Sequence, residues 1–441
     1  MLQALRRTYL DIFTRYPVLV RLAAVGGCVG MVYALINNYA LPLYLHDNLK
    51  VSAVVIGWVS STFLAAEMLM KFPLGRLSDR IGRRTLIASG PAVSCVTALI
   101  LPLVPAARYV LLYPLRALDG MALAAVWPAA FALVTDKIPA SSRAAAMAVL
   151  FTVYMAGLAI GPALGGVLML VIANPWLRDR SPFYLASGAF LLVATIARLG
   201  LPAPRAQAVV APPFVEPDPM PLGARSGLAA RPPAWVMALV LFITALQLIA
   251  LTILQPFLAL YGVQVMHLSK AQVPLLFLVP ALAVAALGLP MGHLSDRWGK
   301  ARSVKLAMAL AAGAMAVLPL FSNIGAVILI VTVLLVAYLL GTPAWLALIA
   351  ELAPAGAFGG TLGAVATAQG VGASIGPIIG GHLWVIDYRY SFWASAALLG
   401  LCALLATAFL PWRPQSQATQ PESATGTAPP RGTRFAAPGE P

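Results

Sequence analysis

The stretch that decides the fold reads Gly75-Arg76-Leu77-Ser78-Asp79-Arg80-Ile81-Gly82-Arg83-Arg84. It places four arginines and one aspartate between two long apolar runs. A similar string returns in the second half of the chain as Gly292-His293-Leu294-Ser295-Asp296-Arg297-Trp298-Gly299-Lys300. We therefore expect a charged ten-residue loop that occurs once in each half of an apolar protein.

The composition around these stretches excludes a soluble globular protein. The chain has 441 residues, of which 61% are hydrophobic and only 10% are charged. Soluble domains carry about 25% charged residues. So little charge cannot cover a water-facing surface of this size, which indicates an integral membrane protein.

The apolar residues form twelve continuous runs, each near the ~20 residues that a membrane-spanning helix needs. The runs cover about 18–45, 52–74, 85–104, 109–134, 144–172, 182–201, 234–261, 270–291, 303–321, 324–349, 358–384 and 391–411. They are far longer than the ~9–11 residues of a barrel strand, so we expect an all-α membrane protein.

Two proline-rich segments divide the chain into domains. Residues 202–233 lie between the sixth and seventh runs, and residues 412–441 follow the last one. Such segments cannot bury enough apolar surface to fold, so we expect a cytoplasmic linker and a disordered cytoplasmic tail. The folded domains are then residues 1–201 and 234–411.

The net charge of +15 lies in the short loops and predicts the orientation rather than nucleic-acid binding. With both termini inside, one side collects Arg76, Arg80, Arg83, Arg84, Lys137, Arg143, Arg198, Arg205, Arg225, Arg231, Arg297, Lys300, Arg302 and Lys305. The other side receives only Lys50, Arg108, Arg178, Arg180, Lys270 and Arg389. The positive-inside rule therefore predicts cytoplasmic termini, and a bacterial inner membrane is the natural location.

The two folded domains are related by duplication. Pro73 corresponds to Pro290, Asp136 to Glu351, and Gly161-Pro162 to Gly376-Pro377. A chance similarity of composition would not keep proline, glycine and acidic positions in register. The pattern predicts two six-helix units around a central path, as in a transporter.

The charged stretches, the twelve runs, the linker and the duplication together resemble the major facilitator superfamily, over about residues 15–411. The resemblance is to its twelve-helix drug:proton antiporter group. It implies twelve transmembrane helices in two pseudo-symmetric six-helix bundles that rock around a central site. It also implies a monomer that moves a small molecule with protons across the lipid bilayer, without a cofactor.

In such transporters the charged loops latch the halves together in one state. The residues that match are Gly75, Asp79, Arg80, Gly82, Arg83 and Asp136, with Gly292, Asp296 and Arg297 in the second copy. Asp79 is well placed to meet the positive N-terminus of a helix from the other half. The alternative role is a topological anchor only.

A glycine motif in the fifth run resembles the signature of drug-exporting antiporters. Small residues at this spacing let helix backbones touch, and proline bends a helix. The motif recurs in the eleventh run, so packing alone is an equal alternative. Its residues are Gly157, Gly161, Pro162, Gly165 and Gly166, then Gly376, Pro377 and Gly380.

The deep charges Glu67, Arg116 and Asp119 are the candidates for proton coupling. A charge at the bilayer centre costs roughly 2.5–3.5 kcal/mol and usually faces the bundle interior or water. Arginine keeps its proton, so the two acids would carry it. Structural ion pairs are the alternative: Asp119 with Arg116, and Glu67 with Lys71 or Arg116.

The second half carries no charge at the positions that correspond to these three residues. Val284, Val331 and Leu334 stand there instead. Folding of such a half evidently does not need the charges. We therefore expect the first half to couple ions and the second half to offer an apolar wall.

Polar and aromatic residues in the middle of the first, fourth, seventh and tenth runs are candidate substrate contacts. They are Tyr33, Asn37, Asn38, Trp127, Gln247, Gln255 and Trp345. Asparagine and glutamine can also form hydrogen bonds between helices, which is the alternative. So few polar groups suit an apolar or amphipathic substrate better than a sugar.

No enzyme site is apparent in the sequence. The four histidines have no metal-ligand spacing, and no phosphate-binding glycine loop is present. We therefore expect no enzyme activity, metal or cofactor. The first functional hypothesis is proton-coupled efflux of small hydrophobic or amphipathic compounds. The alternatives are proton-coupled uptake of an organic acid or another metabolite, and a sensor or scaffold that transports nothing.

Overall fold

The structure is a computed structural model, and it describes residues 15–202, 234–280, 282, 297–352 and 358–409. Within these residues the protein is helical and has no strand. The predicted linker, save for its first residue, and the tail lie outside the described residues, as do Gly292, Asp296 and much of the eighth run.

Eleven helices in the described part are long and apolar enough to cross a membrane. Those of the first half are α1 (Pro17–Asp47), α2 (Ala53–Ile81), α3 (Arg83–Leu103), α4 (Ala106–Lys137), α5 (Ala140–Val171) and α6 (Pro175–Gly200). Those of the second half are α7 (Trp235–Gln264), α8 (Lys300–Leu320), α9 (Ile324–Leu352), α10 (Phe358–Ile386) and α11 (Tyr388–Phe409). The bundle architecture confirms the predicted fold class, and the predicted count of twelve fits these eleven.

The charged stretch Gly75–Arg84 is not the ten-residue loop predicted above. Helix α2 continues to Ile81, and α3 begins at Arg83. Only Gly82 turns the chain, with φ of 91°, a conformation that side chains other than glycine rarely adopt. Arginine and leucine favour helix, so the stretch extends α2 beyond the apolar part. Gly299 has φ of 88° and makes the equivalent turn before α8.

Three helices are irregular where polar residues enter the middle of the bundle. Residues Leu35–Ala40 of α1 form a π-helical turn, and α7 leaves the helix between Ile253 and Leu258, around Pro256. Helix α4 is interrupted at Ala125, shortly before Pro128. Proline lacks an amide hydrogen and clashes with the preceding turn, and π-turns are frequent at functional sites.

The glycine motifs form close helix contacts in both halves. A Cβ added at Gly161 would lie 2.2 Å from the carbonyl oxygen of Met31, so α5 and α1 touch through their backbones. In the second half, a Cβ at Gly380 would lie 2.1 Å from the carbonyl oxygen of Ile253 on α7. Such close approach is possible only with small residues.

Gly166, and Gly381 directly after the second motif, contact the opposite half. A Cβ at Gly166 would lie 2.5 Å from the ring of Pro274, and one at Gly381 would lie 2.6 Å from the carbonyl oxygen of Ala53. These contacts occur at the end of the bundle where α1 ends and α2 begins. We call it the His46 end, and the opposite end, where α2 ends and α3 begins, the Arg83 end.

Candidate functional site

A buried ion pair on α4 is the centre of the candidate site. Arg116 is fully buried, and its Nη1 donates to Oδ2 of Asp119, one helical turn away. The other carboxylate oxygen accepts a hydrogen bond of 3.2 Å from the hydroxyl of Thr97 on α3. The guanidinium carbon also lies 4.2 Å from the centroid of the Phe63 ring, which stabilises the cation further.

The ion pair is linked to the second half through α1. Nη2 of Arg116 donates to Oδ1 of Asn37, whose amide donates to the carbonyl oxygen of Tyr33 at 3.0 Å. The Tyr33 hydroxyl accepts a hydrogen bond of 3.0 Å from Nε2 of Gln255 on α7, which also lies 3.3 Å from Oδ1 of Asn38. We call this network the central relay. Its members are Asp119, Arg116, Asn37, Tyr33, Asn38 and Gln255.

Glu67 pairs with Lys71 and not with Arg116 among the described contacts. Its Oε1 lies 2.8 Å from Nζ of Lys71, one turn along α2. The Glu67 side chain is 17% exposed, and that of Lys71 is 50% exposed. The carboxylate is therefore the inner member of the pair, and the ammonium extends towards the surface.

The remaining candidate substrate residues lie outside the central relay. Trp127 packs against the Tyr154 ring, with centroids 4.8 Å apart. In the second half, the indole nitrogen of the buried Trp345 donates to the Thr244 hydroxyl at 3.1 Å. Trp345 and Gln247 line a small cavity within that half. The seven candidates are thus divided among three places.

At the Arg83 end, the charged stretch forms ion pairs within the first half. Nε of Arg83 lies 3.0 Å from Oδ2 of Asp136, and its Nη2 lies 3.4 Å from Oδ1 of Asp79. The side chain of Asp79 is 66% exposed, whereas that of Arg83 is 25% exposed. Arg80 and Arg297 are exposed. The Arg83–Asp136 pair joins α3 to the end of α4, and its role as a latch stays a prediction.

Sequence reasoning missed a second charged cluster, at the His46 end. Nζ of Lys270 lies 2.9 Å from Oδ2 of Asp47 and 3.2 Å from Oδ1 of Asp179. The sequence does place these residues on the same side of the membrane, because Lys270 is one of few cations predicted there and both acids lie near helix ends on that side. Their partnership depends on how the halves face each other, which the local sequence does not encode.

The chain matches the model of the Major Facilitator Superfamily over residues 22–342 and 336–438. It is 23% identical over 371 residues to "Multidrug resistance protein 1" of Bacillus subtilis (strain 168), covering 82% of this chain and 89% of that protein. It is 33% identical over 132 residues to "Multidrug efflux pump LfrA" of Mycolicibacterium smegmatis, covering 30% of this chain and 26% of that pump.

The fold is also similar to a solved structure, that of a "D-xylose-proton symporter". The TM-score is 0.72 at 14% identity, and the match covers 90% of this chain and 98% of that one. The family model and the curated relatives, beyond the fold, make the chain an integral, multi-pass membrane protein and a transporter rather than an enzyme. By its family model, its paired helical bundles and these relatives, the chain belongs to the Major Facilitator Superfamily.

Proposed function

We propose that the chain exports small hydrophobic or amphipathic compounds in exchange for protons, by alternating access between the two halves. The observation that carries the proposal is the central relay, which connects a buried carboxylate in the first half to a polar side chain in the second. The names of the two bacterial relatives, a multidrug resistance protein and a multidrug efflux pump, favour export.

The ion pair supports a role in coupling because the fold does not require it. Val331 and Leu334 occupy the corresponding positions of α9, and the described part of that half folds around them. Membrane insertion of one deep charge costs roughly 2.5–3.5 kcal/mol. A pair that is expensive and structurally replaceable is best explained by function.

The relay offers a route from protonation to movement of the halves. When Asp119 takes a proton, it loses its charge and weakens its hold on Arg116. The guanidinium keeps its charge and can shift towards Asn37, which alters the support of Tyr33. Tyr33 in turn holds Gln255 of the other half, so a proton on α4 changes a contact between the halves.

The chemistry around the relay favours apolar and aromatic substrates. Phe63 and Tyr33 lie with ring centroids 5.9 Å apart, and the amides of Asn38 and Gln255 stand beside them. A few polar groups in an apolar site fix orientation without demanding many hydrogen bonds. Asn37, Asn38 and Gln255 also bond to the protein, so the alternative role as interhelical hydrogen bonds applies to them as well.

We also propose a location and an orientation for the protein. We place the protein as a monomer in a bacterial inner membrane with both termini in the cytoplasm, because lysine and arginine accumulate at the Arg83 end. The Arg83 end then faces the cytoplasm and the His46 end faces outward.

Transport in proteoliposomes tests the proposal. Vesicles are loaded with a lipophilic dye, and a pH gradient of either sign is imposed. We expect dye movement against its own gradient that requires the pH gradient and is abolished by an uncoupler. Accumulation of substrate in the direction of proton flow would indicate the uptake symporter instead. No movement, with correctly oriented protein, would indicate a sensor or scaffold.

A further inference from the structure

The cluster at the His46 end connects the two halves of the bundle. Lys270 belongs to the second half, and its ammonium is shared between Asp47 at the end of α1 and Asp179 on α6. The three side chains are 27%, 25% and 17% exposed, so water reaches them only in part. The Asn48 amide holds Asp179 at 3.1 Å, and the Tyr39 hydroxyl donates to the Lys270 carbonyl at 2.8 Å.

A second connection crosses the halves beside the first. The indole nitrogen of Trp384 donates to Oε1 of Gln264 at 3.3 Å, which leaves Nε2 of that amide facing Nε2 of His46 at 2.7 Å. Indole donates only, so the amide nitrogen is the donor towards His46. The histidine proton is then on Nδ1, which lies 2.7 Å from Oδ1 of Asp47. The amide and the imidazole therefore extend the Lys270 cluster.

The two ends of the bundle differ in what their charges connect. At the His46 end, the ion pairs of Lys270 join the second half to the first, next to the backbone contacts of Gly166 and Gly381. At the Arg83 end, the ion pairs of Arg83 that the structure describes stay within the first half. In the described structure, ion pairs therefore cross between the halves at the His46 end.

We propose that Lys270, Asp47 and Asp179, extended by Gln264 and His46, form a lock that stabilises the state closed at the His46 end. The ammonium and the two carboxylates are partly desolvated, so loss of one member leaves its partners with uncompensated charge in the closed state. Opening this end would return all three groups to water, so the lock is reversible. The inference goes beyond the proposed function, since it concerns the balance of conformations and not the substrate or the coupling ion.

Distances between spin labels measure that balance without any transport. In a background with Cys28, Cys95 and Cys402 replaced by alanine, one label pair occupies Ala173 and Ser322 in loops at the His46 end. A second pair occupies Lys137 and Gly360 near the Arg83 end. The protein is reconstituted in lipid, and distance distributions are recorded by pulsed electron spin resonance.

We expect Lys270→Met to lengthen the Ala173–Ser322 distances and shorten the Lys137–Gly360 distances. The ratio of the two populations should change roughly fivefold or more, the range of typical coupling between states. Asp47→Asn with Asp179→Asn should act alike, and the triple variant should add little. The matched control is Arg108→Met, which removes an exposed cation at the same end.

The charge exchange Asp47→Lys with Lys270→Asp is the control for misfolding of Lys270→Met. It recreates an ion pair across the halves and should restore at least part of the original distribution. Unchanged distances in Lys270→Met, or an equal change in Arg108→Met, would overturn the lock. Neither result depends on dye transport, so failure of the lock and failure of the proposed export can be told apart.

Discussion

The hydroxyl of Tyr33 accepts a hydrogen bond of 3.0 Å from Nε2 of Gln255, and the two residues belong to opposite halves of the bundle. The contact lies where both helices are irregular, beside the π-turn of α1 and the break of α7 around Pro256. Regular helices would keep these side chains on fixed faces. Next to these irregular turns, the direction of a side chain does not follow from the helical period of the sequence.

We predict that Tyr33→Phe and Gln255→Leu are coupled in their effect on stability. Each removes the same hydrogen bond, which in a membrane is worth roughly 1 kcal/mol. The double variant should therefore lose less free energy of unfolding than the two single variants together. Thermal unfolding of the four proteins measures the coupling.

The control for this cycle is Gln247→Leu, which changes a glutamine of the same helix that lines the cavity of the second half. Combined with Tyr33→Phe, it should give additive effects. If the effects of Tyr33→Phe and Gln255→Leu were additive as well, their hydrogen bond would contribute nothing to the contact between the halves.

The Arg116–Asp119 pair allows a replacement copied from the other half of the same protein. Asp119→Leu alone should destabilise the fold by about 3–5 kcal/mol, because it leaves the Arg116 charge buried and unpaired. The double variant Arg116→Val with Asp119→Leu carries the residues found in α9. It should fold close to the original stability, since it removes both charges together.

The same double variant should lose proton-driven transport while it keeps its fold. Dye transport under an imposed pH gradient, normalised to folded protein, measures this loss. We expect only movement of the dye that is independent of the pH gradient to remain. A well-folded double variant that still transports with protons would assign the coupling elsewhere, with Glu67 as the next candidate.

The fold class could be read from the sequence because bilayer thickness sets the length of the apolar runs. The ion pair of Arg116 and Asp119, which is the alternative to proton coupling in the sequence-based predictions, joins residues i and i+3 of one helix, so local spacing was enough to find it. Two features could not be found this way. The helical state of Gly75–Ile81 does not follow from its charge, because charged residues are typical of loops between membrane helices whereas arginine also favours helix. The contacts of Lys270 and Gln255 depend on the register between halves, which no local pattern encodes.

A pair of single variants separates the two roles of Glu67. If the carboxylate carries a proton, Glu67→Gln should remove most of the proton-driven transport, because an amide does not take up and release a proton in this pH range. Lys71→Gln removes the partner 2.8 Å away but leaves the carboxylate, and it should retain most of the transport. Initial rates of dye movement at matched protein levels measure both.

A structural ion pair gives a different pattern from the one expected for a proton carrier. The two variants would then lose stability and transport to the same extent, because each breaks the same contact. Equal losses would therefore remove Glu67 from the coupling residues.

Alanine substitutions in the two glycine motifs test whether the motif in the first half has a role beyond helix packing. Gly161→Ala would bring a methyl group to 2.2 Å from the Met31 carbonyl oxygen, and Gly376→Ala would bring one to 2.1 Å from the Thr252 hydroxyl. Overpacking of this kind costs typically 1–3 kcal/mol. Both variants should therefore unfold at lower temperature by similar amounts.

Gly188→Ala is the matched control, since a Cβ at this helical position of α6 meets nothing within 4 Å. It should keep or raise the unfolding temperature, because alanine favours helix by up to about 1 kcal/mol over glycine. If the motif serves packing alone, transport per folded molecule should fall equally in Gly161→Ala and Gly376→Ala. A loss confined to Gly161→Ala, at equal stability, would instead give the first copy a role in export that its counterpart lacks.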